Sequence, residues 1–528
     1  METNNVNIQE NQNVIRLISN PRKGFMRLIF GRTGLILLLI VFQISIMASV
    51  YVFFDDYFKW FSILQGIFTA GMILYLFNCS MDASAKLTWL ILIMLFPVPA
   101  SIFLWYHDKD IGHRSLKKCV AAMIEASRGS IEQDMDTLSR QELKESATDD
   151  LCRYLNRSGC FPVYKDTEVT YYPLGDLMFE PMLEELRKAE KFIFMEFFII
   201  AEGEMWGRIL KILADKVREG VDVRVMYDGM CEMSTLSFDY AKRLGELGIK
   251  AKAFAEIRPF LSTYYNYRDH RKILVVDGKT AFTGGVNLAD EYINKIERFG
   301  HWKDTAVRLK GEAVRSFTLM FLQMWNMDEA KPSWDEVHAK TEPGRSDGYV
   351  IPFADCPLDD DKVGETVYMD ILNRAKTYVH IMTPYLILDN ELEAALKYAA
   401  ERGIDVKLIM PGIPDKATAF SLAKSHYMGL MKSGVKIYEY TPGFVHAKVF
   451  VSDNEKAVVG TINLDYRSLY HHFECAAYLY RCSCISEIEA DFQNTLASCS
   501  EVTKESLQRE KTSLKIMGGL LKLIAPLM

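Results

Sequence analysis

Two histidines in this chain sit in the same local pattern. One opens His270-Arg271-Lys272-Ile273-Leu274-Val275-Val276-Asp277, the other His446-Ala447-Lys448-Val449-Phe450-Val451-Ser452-Asp453. Both read His-x-Lys-x-x-x-x-Asp. Each histidine is followed 17 residues later by an asparagine, in Gly284-Gly285-Val286-Asn287 and in Gly460-Thr461-Ile462-Asn463. A single such pattern is weak. Two copies with the same downstream offset are not.

The chemistry follows from the residue types. In a strand alternate side chains share a face, so His270 and Lys272 point one way, as do His446 and Lys448. Two such half-sites face to face supply two imidazoles, two ammonium groups and two carboxamides. Lys272, Lys448, Asn287 and Asn463 suit the non-bridging oxygens of a phosphodiester as phosphorus becomes pentacoordinate. One neutral imidazole attacks phosphorus and the other, protonated, gives its proton to the leaving oxygen. The lysines supply the positive charge, and an ammonium repels a cation, so no metal and no cofactor is expected. Each half-site is expected to have its own carboxylate holding the second ring nitrogen, with Asp304 and Glu474 as the candidates. Asp277 and Asp453 complete the catalytic motif set, although their place at a strand end suits bracing a turn. His107, His113, His301, His338, His380, His426, His471 and His472 lack this context and read as structural or surface residues.

The elements that must position these residues also repeat. Phe192 to Ile200 reads as a buried strand, Trp206 to Glu219 as a helix and Val221 to Tyr227 as a strand. Tyr378 to Leu388, Glu391 to Arg402 and Ile404 to Met410 follow the same order. Glu219-Gly220-Val221-Asp222-Val223 matches Arg402-Gly403-Ile404-Asp405-Val406. Strand, helix, strand at this spacing predicts parallel pairing in an α/β fold. The expected organisation is two similar lobes, 161–330 and 349–510, related by a pseudo-twofold axis. A polar linker, 331–348, joins them, and a connecting segment, 107–160, precedes them.

Ahead of the lobes stand a basic tail (1–33) and three apolar runs, 34–54, 58–77 and 87–106. Each is close to the length that a spanning helix needs, so N-terminal transmembrane helices are expected. The polar stretch before the first run is unlike a cleaved signal. Arg16, Arg22, Lys23, Arg27 and Arg32 favour a cytoplasmic N-terminus. The basic flank His113, Arg114, Lys117 and Lys118 also prefers the cytoplasm, which three full spans do not allow, so the side of the membrane stays open. The amphipathic segment 511–528 suits an interfacial helix or a helix closing a core. The ten cysteines read as reduced structural thiols, with Cys152 and Cys160 able to pair if the domain lies outside the cell. The net charge of −7 argues against a nucleic-acid partner.

At these residues the sequence resembles the phospholipase D superfamily, and within it the bacterial cardiolipin synthases. The resemblance is carried by the duplicated motif, by Tyr267-Arg268-Asp269-His270-Arg271-Lys272, Trp302-Lys303-Asp304-Thr305, Thr383-Pro384-Tyr385 and Asn463-Leu464-Asp465-Tyr466-Arg467-Ser468, and by the apolar N-terminus with Lys86-Leu87-Thr88-Trp89. It implies two phospholipase D-like lobes in a multi-pass protein of the bacterial cell membrane. The implied substrates are phosphatidylglycerol and other anionic phospholipids. It further implies a phosphatidyl-histidine intermediate, with His270 as nucleophile and His446 as acid and base. A second phosphatidylglycerol then accepts the phosphatidyl group, giving cardiolipin and glycerol. Where many members carry a serine after the first glycine, this chain has Gly285 and Thr461. A phospholipase D, or a transferase with another acceptor alcohol, shares every catalytic residue. An inactive membrane scaffold would have lost one of them. Water competes with the acceptor, and Tyr264, Tyr265, Tyr267, Tyr385 and Phe444 are candidates to exclude it or simply to pack. The oligomeric state is not legible.

Overall fold

The computed structural model describes residues 7–11, 14–18, 41, 45, 49, 55–109, 113–255, 267–341, 348–523 and 525–527. The first apolar run, the basic residues from Arg22 to Arg32, Tyr264, Tyr265 and the linker residues 342–347 lie outside these residues, the run apart from three scattered positions.

The repeat forms as its spacing predicts. In the first lobe Phe192–Phe197, Asp222–Asp228 and Lys250–Phe254 are parallel neighbours. In the second, Tyr378–Met382, Asp405–Pro411 and Lys436–Tyr440 repeat the arrangement. The crossover helices are Glu204–Arg218 and Asn390–Glu401. Each gives way to a glycine in the left-handed region, Gly220 at φ 91° and Gly403 at φ 92°, a conformation that glycine adopts without a Cβ penalty. The second strand is shorter than its apolar run. It breaks at Thr383-Pro384, because proline cannot donate to the ladder.

Antiparallel strands extend both sheets. Lys272–Val276 pairs with Phe192–Phe197 and with Thr280–Gly284, and Val449–Ser452 pairs with Tyr378–Met382 and with Lys456–Gly460. Among the described residues the first-lobe sheet has seven strands and the second-lobe sheet nine, one of which, Arg268–Asp269, comes from the first lobe. Apolar side chains fill the interior, with Trp206, Tyr227, Phe194 and Tyr368 among the largest buried.

The N-terminal tail holds an antiparallel hairpin, Asn7–Asn11 with Val14–Ile18, whose Ile15 and Leu17 join the first-lobe core. The connecting segment is largely helical, with Arg114–Ser127 and Thr148–Gly159 as its main helices. Every cysteine is a free thiol, and Cys152 and Cys160 are both buried.

Both lobes belong to one compact unit. A second unit comprises residues 22–116, 257–265 and 519–528. Within it the second apolar run forms the helix Asp55–Asn78. The third is two helices, Ala83–Leu95 and Pro97–Asp108, separated at a proline that cannot bond back into the preceding turn. Leu76, Trp89, Ile93, Ala100 and Leu104 form a small core. Thr88 Oγ1 donates to Leu523 O at 2.7 Å, tying the carboxy-terminal residues to these helices. Trp60, Leu64, Ile67, Leu74, Met94 and Trp105 are exposed. Among the described residues no helix is long and apolar enough to cross a membrane.

Candidate active site

The strand Lys272–Val276 begins at the lysine, not at the histidine, so His270 and Arg271 form the approach to it. In the second lobe the strand starts one residue later, at Val449, so His446, Ala447 and Lys448 form the approach. What fixes each histidine is a short parallel pairing with the other lobe. Arg268–Asp269 runs beside His472-Phe473, and Gly443–Val445 beside His301–Lys303. His270 N donates to Phe473 O at 2.9 Å, and His446 N to Lys303 O at 2.7 Å.

These pairings decide which carboxylate serves which ring. His270 Nδ1 lies 2.9 Å from both oxygens of Glu474, and His446 Nδ1 lies 2.6 Å from Asp304 Oδ2. Asp304 and Glu474 do hold the imidazoles, but each holds the ring of the opposite lobe. The expectation that each half-site has its own carboxylate is corrected on this point. With Nδ1 engaged, Nε2 is the nitrogen left for chemistry on both rings.

The lysines fold back on their own motif. Lys272 Nζ donates to His270 O at 2.6 Å, and Lys448 Nζ donates to His446 O. Lys448 Nζ also lies 2.9 Å from His446 Nδ1. A nitrogen that donates to Asp304 cannot also accept from lysine, so we assign the Nδ1 proton to the shorter contact.

Burial dominates the electrostatics. It lowers Lys272 to about 8, against the pull of Glu474, and Lys448 to about 7, against that of Asp304. Burial and the Lys272 charge hold His270 well below the usual histidine range. Burial and Lys448 bring His446 to about 4, although Asp304 opposes them. The carboxyls diverge. Burial pushes Glu474 well above the carboxylate range despite Lys272. Burial also pushes Asp304 up, but His446 and Lys448 outweigh it and hold the group low. Burial thus sets the two carboxyls apart, Asp304 held low beside His446 and Glu474 pushed high beside His270.

Asp277 and Asp453 stand apart from this centre. Both occupy hairpin turns in the left-handed region, Asp277 before Gly278 and Asp453 before Asn454, the residue types that such turns favour. Asp277 accepts from Glu190 N, Lys191 N and Phe192 N at 2.7–2.9 Å. Asp453 accepts from Lys376 N, Thr377 N and Tyr378 N at 2.8–3.1 Å. They cap the strand beside the motif, which corrects their place in the catalytic set.

Asn287 and Asn463 differ. Asn287 Oδ1 accepts from Ile199 N at 3.0 Å, and its Nδ2 donates to Tyr292 OH at 2.8 Å. Both ends of that amide are engaged within the first lobe. Asn463 Oδ1 is buried without a partner.

The glycine that replaces the family serine has a steric cause. A Cβ on Gly285 would stand 1.9 Å from Asp304 Oδ1 and 2.9 Å from His446 O. Thr461, its counterpart, donates its hydroxyl to Glu474 Oε2.

The sequence pattern missed several neighbours. His472 is buried with its ring centroid 5.3 Å from that of His270 and its Nδ1 3.6 Å from Glu474 Oε1. Phe198 meets His270 edge-on at 4.8 Å. Tyr292, Trp302 and Phe444 surround His446. The available signal was the position of Trp302 and His472, each two residues before a carboxylate. Of the proposed water-excluding aromatics, Phe444 is at the site. Tyr385 instead donates to Asp415 Oδ2, at 2.6 Å. Two groups among the described residues have donors suited to a cation. His270, His472 and Glu474 form one, beside the opposing Lys272 charge, and Glu365, Asp389 and Glu391 the other.

Residues 182–325 and 368–496 match the family model described as cardiolipin synthase, PLD-like domain, one copy in each lobe. The chain belongs to the cardiolipin synthase family. The cardiolipin synthase of Alkalihalophilus pseudofirmus is 32% identical over 474 residues, 88% of this chain and 94% of that one. Cardiolipin synthase 2 of Bacillus anthracis is 34% identical over 464 residues, 87% of this chain and 90% of that one. An uncharacterized protein of Streptococcus mutans serotype c is 59% identical over 466 residues, 87% and 100% of the two chains. In fold, the chain is similar to the phosphatidylserine synthase of Haemophilus influenzae, with a TM-score of 0.54 at 16% identity over 73% of this chain and 98% of that one.

Proposed function

We propose that the protein is a cardiolipin synthase that moves a phosphatidyl group from one phosphatidylglycerol to another, releasing glycerol. The carrying observation is the pair of imidazoles, each held at Nδ1 by a buried carboxylate and each beside a buried lysine. His270 Nε2 attacks phosphorus, the P–O bond to glycerol breaks, and His446, entering as the imidazolium that Asp304 favours, gives the leaving oxygen its Nε2 proton. The headgroup hydroxyl of the second lipid then returns a proton to His446 as its oxygen bonds to phosphorus and the N–P bond breaks. Lys272 and Lys448 stand by the non-bridging oxygens. With Nδ1–H donating to Glu474, Nε2 is the unprotonated nitrogen that can attack, and the same bond holds the ring in the phosphatidyl-histidine intermediate.

The protein works at the bacterial cell membrane, held there by the segment 34–106. The exposed apolar side chains of the helices in that segment support this reading, as does the lipid nature of the substrate. Purified protein given phosphatidylglycerol vesicles should produce cardiolipin and glycerol in equal amounts. Phosphatidic acid as sole product would make the protein a hydrolase. His270→Ala and His446→Ala should each abolish transfer, and near-normal turnover in either would remove the two-histidine site.

A further inference from the structure

The two halves of this site are alike in their reacting groups and unlike in what surrounds them. Three pairs of equivalent positions show it. Tyr292 stands five residues after Asn287, and Ser468 five after Asn463. Trp302 stands two residues before Asp304, and His472 two before Glu474. Phe444 stands two residues before His446, and Arg268 two before His270. The crossed strand pairing brings the first of each pair to His446 and gathers the second around the His270 half-site. His446 therefore faces three aromatic rings at centroid distances of 5.4, 5.5 and 5.9 Å. Among the described residues the rings that meet His270 are Phe198 and the polar imidazole of His472.

The aromatic side is built rigidly. Tyr292 and Trp302 are 4.7 Å apart, and Trp302 and Phe444 4.9 Å. Asn287 holds the Tyr292 hydroxyl. Asn294 bonds both backbone groups of Trp302, accepting from its N at 2.8 Å and donating to its O at 3.1 Å. One polar atom in this wall is not served. Trp302 Nε1 is buried and has no hydrogen-bond partner. Buried indole N–H groups usually find one, so this N–H is free to donate to a ligand oxygen.

In-line displacement gives the wall its meaning. With His270 on one side of phosphorus, the leaving alcohol departs on the opposite side, toward His446, and the incoming alcohol arrives there. Water arriving at the same place would end the cycle as phosphatidic acid. We propose that the Tyr292–Trp302–Phe444 wall is the pocket of the exchanging alcohol, where the rings exclude water from His446 and the Trp302 indole N–H takes a hydroxyl of the polyol headgroup. The inference rests on the phosphatidyl transfer reading and adds the residues that favour alcohol over water.

The test uses the purified full chain in phosphatidylglycerol vesicles, with cardiolipin and phosphatidic acid quantified together. Trp302→Ala should raise the phosphatidic acid share about tenfold or more, because it opens the His446 side to water. Trp302→Phe keeps a ring and loses the donor. In exchange of labelled glycerol into the lipid it should raise KM for glycerol about fivefold, the worth of one hydrogen bond, and leave kcat and the use of 1-propanol unchanged. His472→Asn, on the mirror side, should leave the product ratio as in wild type. The wall is excluded as the alcohol pocket if Trp302→Ala keeps the wild-type ratio, or if the ratio moves in His472→Asn instead. Should Trp302→Ala not fold, the glycerol KM of Trp302→Phe decides, and an unchanged value overturns the proposal. Wild-type protein that makes no cardiolipin at all would instead refute the transfer reading, before any variant is compared.

Discussion

Replacing Asp277 separates a structural role from a chemical one. Its carboxylate accepts three backbone N–H groups. Alanine removes all three bonds, at about 1 kcal/mol net each. It also puts a Cβ without a local polar partner at φ 53°, which adds about 1 kcal/mol. The total is about 4 kcal/mol, which over the compact unit holding both lobes should lower the melting temperature by roughly 5 °C. Asparagine keeps one acceptor oxygen and tolerates the left-handed backbone, so Asp277→Asn should lose less than half as much. Turnover per folded molecule at 25 °C should stay within about twofold in both, because Asp277 lies at the far end of a five-residue strand, about 17 Å from the histidine end. Thermal unfolding followed by circular dichroism, with transfer measured on the same samples, checks both parts. A collapse of turnover with an unchanged melting temperature would refute the capping argument and return Asp277 to the reacting centre.

Asp304→Asn should cut transfer by about a hundredfold or more while the lobes stay folded, because the imidazole it holds loses its orientation and tautomer; normal activity in this variant would show that the cross-lobe bond is idle. Because burial lowers Lys448 to about 7, its charge in the free protein is lost as pH rises through that value, so kcat/KM for an anionic lipid should fall on the alkaline side. Lys448→Arg, which stays charged, should lower the plateau and remove that limb; a limb that persists unchanged belongs to another group. Gly285→Ser brings back the residue that many family members carry, yet it should impair transfer, since its Cβ meets Asp304 Oδ1 at 1.9 Å. Full activity in Gly285→Ser would mean that Asp304 shifts at no cost.

The repeat was legible because its signals are local. Gly220 and Gly403 mark the same helix end, and the His-x-Lys pattern fixes the same offset to Asn287 and Asn463. The strand limits were less so, since Thr383-Pro384 stops a run that composition alone extends to Leu388. The break within 87–106 stood in plain view as Pro97, but apolar content outweighed it. The crossing of Asp304 and Glu474 was not legible. It depends on two short parallel pairings between segments far apart in the chain, and no periodicity within one lobe reports them. For the same reason Trp302 and His472 passed as ordinary flanking residues: each acts on a histidine in the other half of the sequence.

That crossing also changes how damage to this protein should be read. Each lobe lends the other the carboxylate that its own imidazole needs, so a substitution maps by residue number to one half and by consequence to the other. Variation at Glu474 is felt at His270, and variation at Asp304 at His446. Two fragments cut between the lobes would each be blind alone, and mixing them would restore function only by re-forming both loans together. The fused chain thus behaves as a reciprocal lock, while its two halves remain free to differ in everything except what they exchange.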